Sequence, residues 1–217
     1  MDDEDVRLEV YACFGRTGRP PSITELGLPV EQARAALDRL AGARHIVLNV
    51  DGDIVMAHPF AAVPLGFSVM GRDVLWWGGC AWDSFAIPHL LPEQAPVLVA
   101  TRCQGCGRPH AWSVGVEQPP PGDQVAHFLT PTSRMWDDVV HTCDNQRIFC
   151  SQECVSTWLQ RTGQEQGYLM DLTTLWRLAA GWYTGRLDRG YVRREPVEAR
   201  AYFHGAGLRG AFWGLPD

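Results

Sequence analysis

Lysine is absent from this chain of 217 residues: all nineteen basic residues are arginine. That excludes Schiff-base chemistry at a lysine amine and any phosphate loop built around a lysine. The patterns GxGxxG, HExxH and GxSxG are missing as well, so there is no dinucleotide fingerprint, no two-histidine metal helix and no nucleophile elbow. Long apolar runs are also lacking; stretches such as Ala95 to Ala100 are far too short to cross a bilayer. The acidic start MDDEDVRLEV has no basic segment leading into an apolar one, which predicts a cytoplasmic protein without membrane association. A formal net charge of −6 disfavours a polyanionic partner such as nucleic acid.

What is present suits a folded chain. At 46% hydrophobic content, 217 residues can bury one substantial core, or one core with a smaller satellite. Residues 6–70 read as a unit. Val6, Leu8, Val10, Ala12 and Phe14 have an ambiguous period that a following glycine tips toward helix. SITELGL predicts a short helix with Ser22 as N-cap and Glu25 completing a capping box. Pro29 opens a further helix with Val30, Ala33, Leu37 and Leu40 on one face, and Asp51-Gly52 centres a hairpin. Three helices and a hairpin imply a winged-helix-like domain over 1–70. Within it, six arginines meet ten acidic residues, a net of −4, and the helix expected to read DNA mixes Glu31 and Asp38 with Arg34 and Arg39. Such a unit lacks a basic footprint and reads as a cap on a catalytic domain rather than a DNA reader.

Residues 71–217 predict an α+β domain built on a mixed sheet. Strands are expected at DVLWWG, APVLVATRC, HAWSVGVE, QVAHFLT and RIFC. Helices are expected from Asp83 as N-cap, over SQECVSTWLQRTG to Gly163, and over the whole of GYLMDLTTLWRLAAGWYTGRL. Trp176, Trp182 and Tyr183 fall at helical spacings and read as core, His89 reads as a surface or satisfied histidine, and the Arg-rich remainder carries no motif. Trp76, Trp77 and Trp82 flank Cys80 and suit core packing or the wall of an apolar pocket.

Seven cysteines in a chain read as cytoplasmic are thiols or metal ligands rather than disulfides. Cys13 stands apart and packs in a helix. Cys103-Gln-Gly-Cys106 forms a knuckle-like turn, and Cys150 and Cys154 sit at a strand-to-helix junction. This is the pattern of a treble-clef-like zinc site, closed by four thiolates and therefore structural; four unrelated buried cysteines are the alternative. His110 reads as a strand-edge residue. Cys80 and Asp83, taken alone, are a buried cysteine beside a helix cap.

The segment Cys80-Ala81-Trp82-Asp83 ahead of Phe85-Ala86-Ile87-Pro88, followed by Cys103 in ATRCQGCG and Cys143 in HTCDNQRIFCS, resembles the organomercurial lyases (the alkylmercury lyase, MerB, family). The similarity covers residues 6–160, and the four-cysteine set is a departure from the familiar lyases. The resemblance implies protonolysis of a carbon–mercury bond, with Cys80 as first thiolate ligand, Cys143 as second and Asp83 as proton carrier. It also implies a small organometallic substrate, cellular thiols as partners and no organic cofactor. Soft thiolates suit Hg(II), and a neighbouring carboxylate suits the return of a proton to carbon. Two other readings stay open: the same constellation turned to another carbon–heteroatom bond, and a cysteine-rich metal-binding or regulatory protein.

Overall fold

A computed structural model describes residues 1–216. The chain opens with α1 (Asp3–Thr17), capped by a reciprocal Asp2–Asp5 box and closed at Gly18 in the left-handed region. Next comes α2 (Val30–Gly42), which buries Ala33, Ala36, Leu37 and Leu40. The helix expected over SITELGL is instead a turn over residues 23–26. Between Pro21 and Gly27 too few residues remain to offset helix nucleation. Glu25 does accept from the Ser22 N–H at 2.7 Å, but its carboxylate is also held by Arg19 at 2.9 and 2.8 Å. The N-terminal region therefore has two helices, not three.

The expected hairpin forms from β1 (Val47–Leu48) and β2 (Ile54–Ala57). Its sheet continues through β3 (Phe60–Ala61), β4 (Phe67–Met70), β5 (Leu75–Gly78), β6 (Val97–Arg102) and β7 (Pro109–Val114), in the order β1-β2-β3-β5-β4-β6-β7. One sheet thus runs through residue 70, and one core cluster joins Val6 and Phe14 to Phe85, Leu178 and Trp213. A second sheet has the order β10-β8-β9, from β8 (Val125–Phe128), β9 (Gln146–Phe149) and β10 (Tyr168–Asp171). A mixed sheet was the expectation; every pairing among the described residues is antiparallel.

The helix α3 (Ala81–Leu90) packs against β3 to β6 of the large sheet and β9 of the small one, with every side chain from Ala81 to Pro88 buried. Apart from Asp83, Ser84 and His89 it is apolar on all sides, as suits a helix covered from both directions. Two short helices serve the cysteines: α4 (Val139–Asp144) and α5 (Gln152–Thr162), the latter ended by Gly163 at φ 67°. The long helix expected from Gly167 onward splits. Tyr168 to Asp171 pair with β8, and only α6 (Leu172–Ala180) is helical, with Asp171 as its N-cap. Tertiary pairing overrides local helical preference there, since β8 offers a ladder to the open backbone of YLMD.

The motif-free remainder folds back. After α6 come α7 (Pro196–Gly205) and a 3-10 turn at Ala211–Trp213. Trp213 is buried, edge-on to Trp82 at 6.1 Å, and Phe203 and Trp182 complete the cluster at 5.0 Å from Trp213 and 4.9 Å from Trp82, respectively. Aromatic pairs of this geometry contribute about 0.5–1.5 kcal/mol beyond their burial. They fasten the C-terminal segment over the start of α3. No helix among the described residues is long and apolar enough to cross a membrane.

Candidate active site

Cys80 lies at the junction of β5 and α3 and is itself the N-cap of that helix: its Sγ accepts the Asp83 N–H at 3.4 Å. Asp83 was the expected cap; it stands instead three residues into the helix. Its buried carboxylate packs against Gly79, where an added Cβ would lie 2.2 Å from Oδ2. Glycine at 79 is what lets that carboxylate sit against the backbone.

The structure brings Cys143 to the same place. α4 directs its Sγ to within 3.9 Å of Asp83 Oδ2 and 3.5 Å of His58 Nε2. Ligand atoms of His58, Asp83 and Cys143 all lie within 4.8 Å of one another, and all three residues are buried. The Cys80 thiol donates to Gln146 Oε1 at 2.9 Å and also has the Cys143 sulfur as a hydrogen-bonding neighbour. Tyr183 donates its hydroxyl to Asp83 Oδ1, which leaves Oδ2 turned to the sulfur.

These surroundings split the two thiols. Burial pushes the Cys80 thiol well above its ordinary value, helped by the neighbouring Cys143 sulfur and the charge of Asp83. Cys143 goes the other way: the neighbouring Cys80 thiol lowers it against the cost of burial, and His58 lowers it further. Burial works against a protonated His58, but the Asp83 charge and the hydrogen bond with Cys143 outweigh it and hold His58 above its ordinary value. The pair is thus arranged with Cys143 as the readier thiolate and Cys80 as the proton holder. His58→Gln should therefore shift the acid limb of mercurial capture to higher pH. Thiolate is lost as pH falls through the Cys143 pKa, and removing a group that lowers this pKa moves the limb upward. Adduct formation followed by mass spectrometry across pH checks it; an unmoved limb would remove His58 from the site.

A cavity of about 660 Å³ opens onto this centre, within the range of ligand pockets. Cys80, Asp83 and Cys143 lie at its floor with His58, Gln146 and Tyr183. Trp82 lines it; Trp76 is core, its indole N–H donating to Phe14 O at 2.8 Å, and Trp77 is on the surface. Tyr183, read from sequence as core, is a site residue, and His58, Gln146 and Arg186 were missed. They come from a strand turn, a strand start and a loop far apart in the chain, and no spacing links them. His89 is neither on the surface nor satisfied: it is half-buried against Trp176, and its Nε2 makes no hydrogen bond.

The four remaining cysteines form a separate cluster. The β6–β7 turn supplies Cys103 and Cys106, and the β9–α5 junction supplies Cys150 and Cys154, with all four sulfurs within 4.8 Å of one another. Gly105 permits the turn to close on α5, since a Cβ there would lie 2.3 Å from Cys154 O. A backbone hydrogen bond at Arg108 lowers the Cys106 thiol to about 7, while burial and the neighbouring thiols push Cys150 to about 12. Four thiols this close cannot all ionise unless a cation offsets their repulsion, so the cluster is able to hold a metal ion. His110 Nε2 approaches Cys150 Sγ at 3.3 Å from the edge strand β7.

A family profile described as alkylmercury lyase matches residues 60–184, more than half of the chain and the whole span from β3 past α6. The protein belongs to the alkylmercury lyase family. The matched segment contains Cys80, Asp83, Cys143, Gln146 and Tyr183 and leaves out His58 and Arg186. Among solved structures, the mercury-bound form of MerB2 superposes with a TM-score of 0.64 over 85% of this chain and 92% of that one, at 19% identity. The likeness is one of fold. No curated relative matches the sequence.

Proposed function

We propose that this member of the family is an organomercurial lyase that cleaves a carbon–mercury bond by protonolysis, yielding a hydrocarbon and Hg(II). The observation that carries the reading is the meeting of two inequivalent thiols at one buried residue on the floor of a cavity, Cys143 facing the Asp83 carboxylate and Cys80 accepting the Asp83 N–H. Cys143, the readier thiolate, takes the mercury of R–Hg–X first and displaces X⁻. Cys80, the expected first ligand, becomes the second: as its sulfur bonds to mercury its proton passes to Asp83. The Asp83 carboxyl then protonates the carbon, the C–Hg bond breaks, and R–H leaves with Hg(II) held by the two sulfurs. Two cellular thiols would remove the metal by ligand exchange. Tyr183 holds the carboxyl in place, and Gln146 holds the Cys80 thiol until mercury replaces its proton. Incubation with phenylmercury and excess thiol should release benzene; an intact, folded protein that captures phenylmercury yet releases none would transfer the constellation to a different bond.

The four-cysteine cluster we assign to a structural zinc, in the treble-clef manner, with no position left for substrate. It would tie β6 and β7 to the end of β9, the strand that starts at Gln146. Elemental analysis of protein purified without chelator should find about one zinc per chain, as a closed four-thiolate site holds. Cys106→Ser should lose the metal and lower the melting temperature. Metal-free protein with unchanged stability would overturn the assignment.

A further inference from the structure

The cavity above the thiols is cationic, although the chain is acidic. Five arginines line it, Arg44, Arg186, Arg193, Arg194 and Arg200, against two carboxylates, Asp83 and Glu195, in a protein of net charge −6. Among the described residues none of the five makes an ion pair; the ion-paired arginines are 7, 16, 19, 39, 134, 147 and 189.

Arg186 is the most telling. It is only 5% exposed, and each of its partners is neutral: Tyr11 Oη at 3.0 Å, His58 O at 3.3 Å and Tyr191 Oη at 2.9 Å. Its buried Nε donates to nothing. A guanidinium taken from water without a counter-ion is costly, and the ring faces of Tyr183 and Tyr191, at 4.8 and 4.9 Å, offset this only in part. Arg193 stacks on Trp136 at 4.6 Å and Arg44 on the same ring at 5.5 Å. Burial and the charge of Arg186 push Arg193 below its ordinary value. Like charges crowded at one mouth, with a buried donor left free, are what an anion would relieve.

We propose that the cavity binds a carboxylate on an aromatic or apolar spacer, the carboxylate meeting Arg186 and Arg193 while the far end reaches Cys143 and Cys80. For the mercurial this rests on the lyase reading and deepens it: the preferred substrate complex is anionic. The carboxylate can belong to the organic group or to the thiol that delivers the mercury, and the two sources are separable.

Benzoate, free of mercury, should bind the full-length protein and alter its tryptophan fluorescence, at least about tenfold more tightly than benzyl alcohol, as a charge-assisted contact implies. Arg193→Gln, at a half-buried position, should weaken benzoate several-fold; Arg186→Gln is the second variant, read by the same titration once circular dichroism shows it folded. In turnover with 2-mercaptoethanol as thiol, 4-mercuribenzoate should show a KM about tenfold below that of phenylmercury. If the carrier supplies the carboxylate, that gap closes, and phenylmercury instead gains when 3-mercaptopropionate replaces 2-mercaptoethanol. Benzoate binding no better than benzyl alcohol, or equally well to Arg193→Gln and Arg186→Gln, overturns the proposal. Failure to cleave either mercurial would overturn the lyase reading alone, because the benzoate titration decides the anion site without any reaction.

Discussion

Cys143→Ser should leave a folded protein that neither captures phenylmercury against a thiol competitor nor releases benzene. A serine hydroxyl is hard, weakly acidic and uncharged at neutral pH, and it replaces the one of the two cavity sulfurs whose surroundings favour a thiolate. Cys80→Ser should differ in degree. Cys143 remains able to take mercury as a single thiolate adduct, but the second sulfur that pushes electron density toward carbon is gone, so turnover is lost while a weaker adduct survives. Whole-protein mass spectrometry after thiol challenge, paired with headspace detection of benzene, reads both quantities. Full activity in Cys143→Ser would refute the two-thiol mechanism. Equal capture by both serine variants would refute the order in which the thiols act.

Asp83→Asn should separate capture from cleavage. An asparagine carbonyl oxygen still accepts the Tyr183 hydroxyl, and the amide occupies the space that Gly79 leaves for the carboxylate. The Asp83 charge raises both cysteine thiols, so its removal makes ionisation of Cys80 and Cys143 easier. Mercurial binding should then be retained, whereas hydrocarbon release falls by on the order of 10²–10⁴, the usual contribution of a general acid. The variant should accumulate an organomercury adduct whose mass still includes the organic group. Unchanged benzene release would remove the carboxylate from the proton path; loss of capture together with release would make it a ligand instead.

The resemblance to the organomercurial lyases singles out Cys80, Asp83 and Cys143, and the structure brings them together. The capping role was misplaced because N-cap statistics favour an aspartate over a cysteine, whereas here the thiol sulfur accepts the Asp83 N–H itself. The helix expected over SITELGL failed because both of its ends are punctuated by Pro and Gly. The start of the helix expected from Gly167 failed because β8 claimed residues 168–171. Both helix failures lie where a partner distant in sequence, or a segment too short for its pattern, outweighed local preference.

The sequence by itself determined the covalent means: soft thiols, a carboxylate three residues from one of them, two cysteine pairs at metal-ligand spacing, and arginine as the only strong cation. Those are properties of residue type and short separation, which chain order carries directly. Only the tertiary structure decided which thiol is lowered and which is raised, that Asp83 Oδ2 faces Cys143, and that His58, Tyr183 and Arg186 line the same cavity. Burial and the charges of neighbours set those properties, and they depend on distances between residues 58, 83, 143 and 183 that are far apart along the chain. The arginine-lined cavity is of the same kind: Arg186, Arg193, Arg194 and Arg200 fall in the Arg-rich remainder, but they join Arg44 around the thiols only when α7 and the loop before it close over α3.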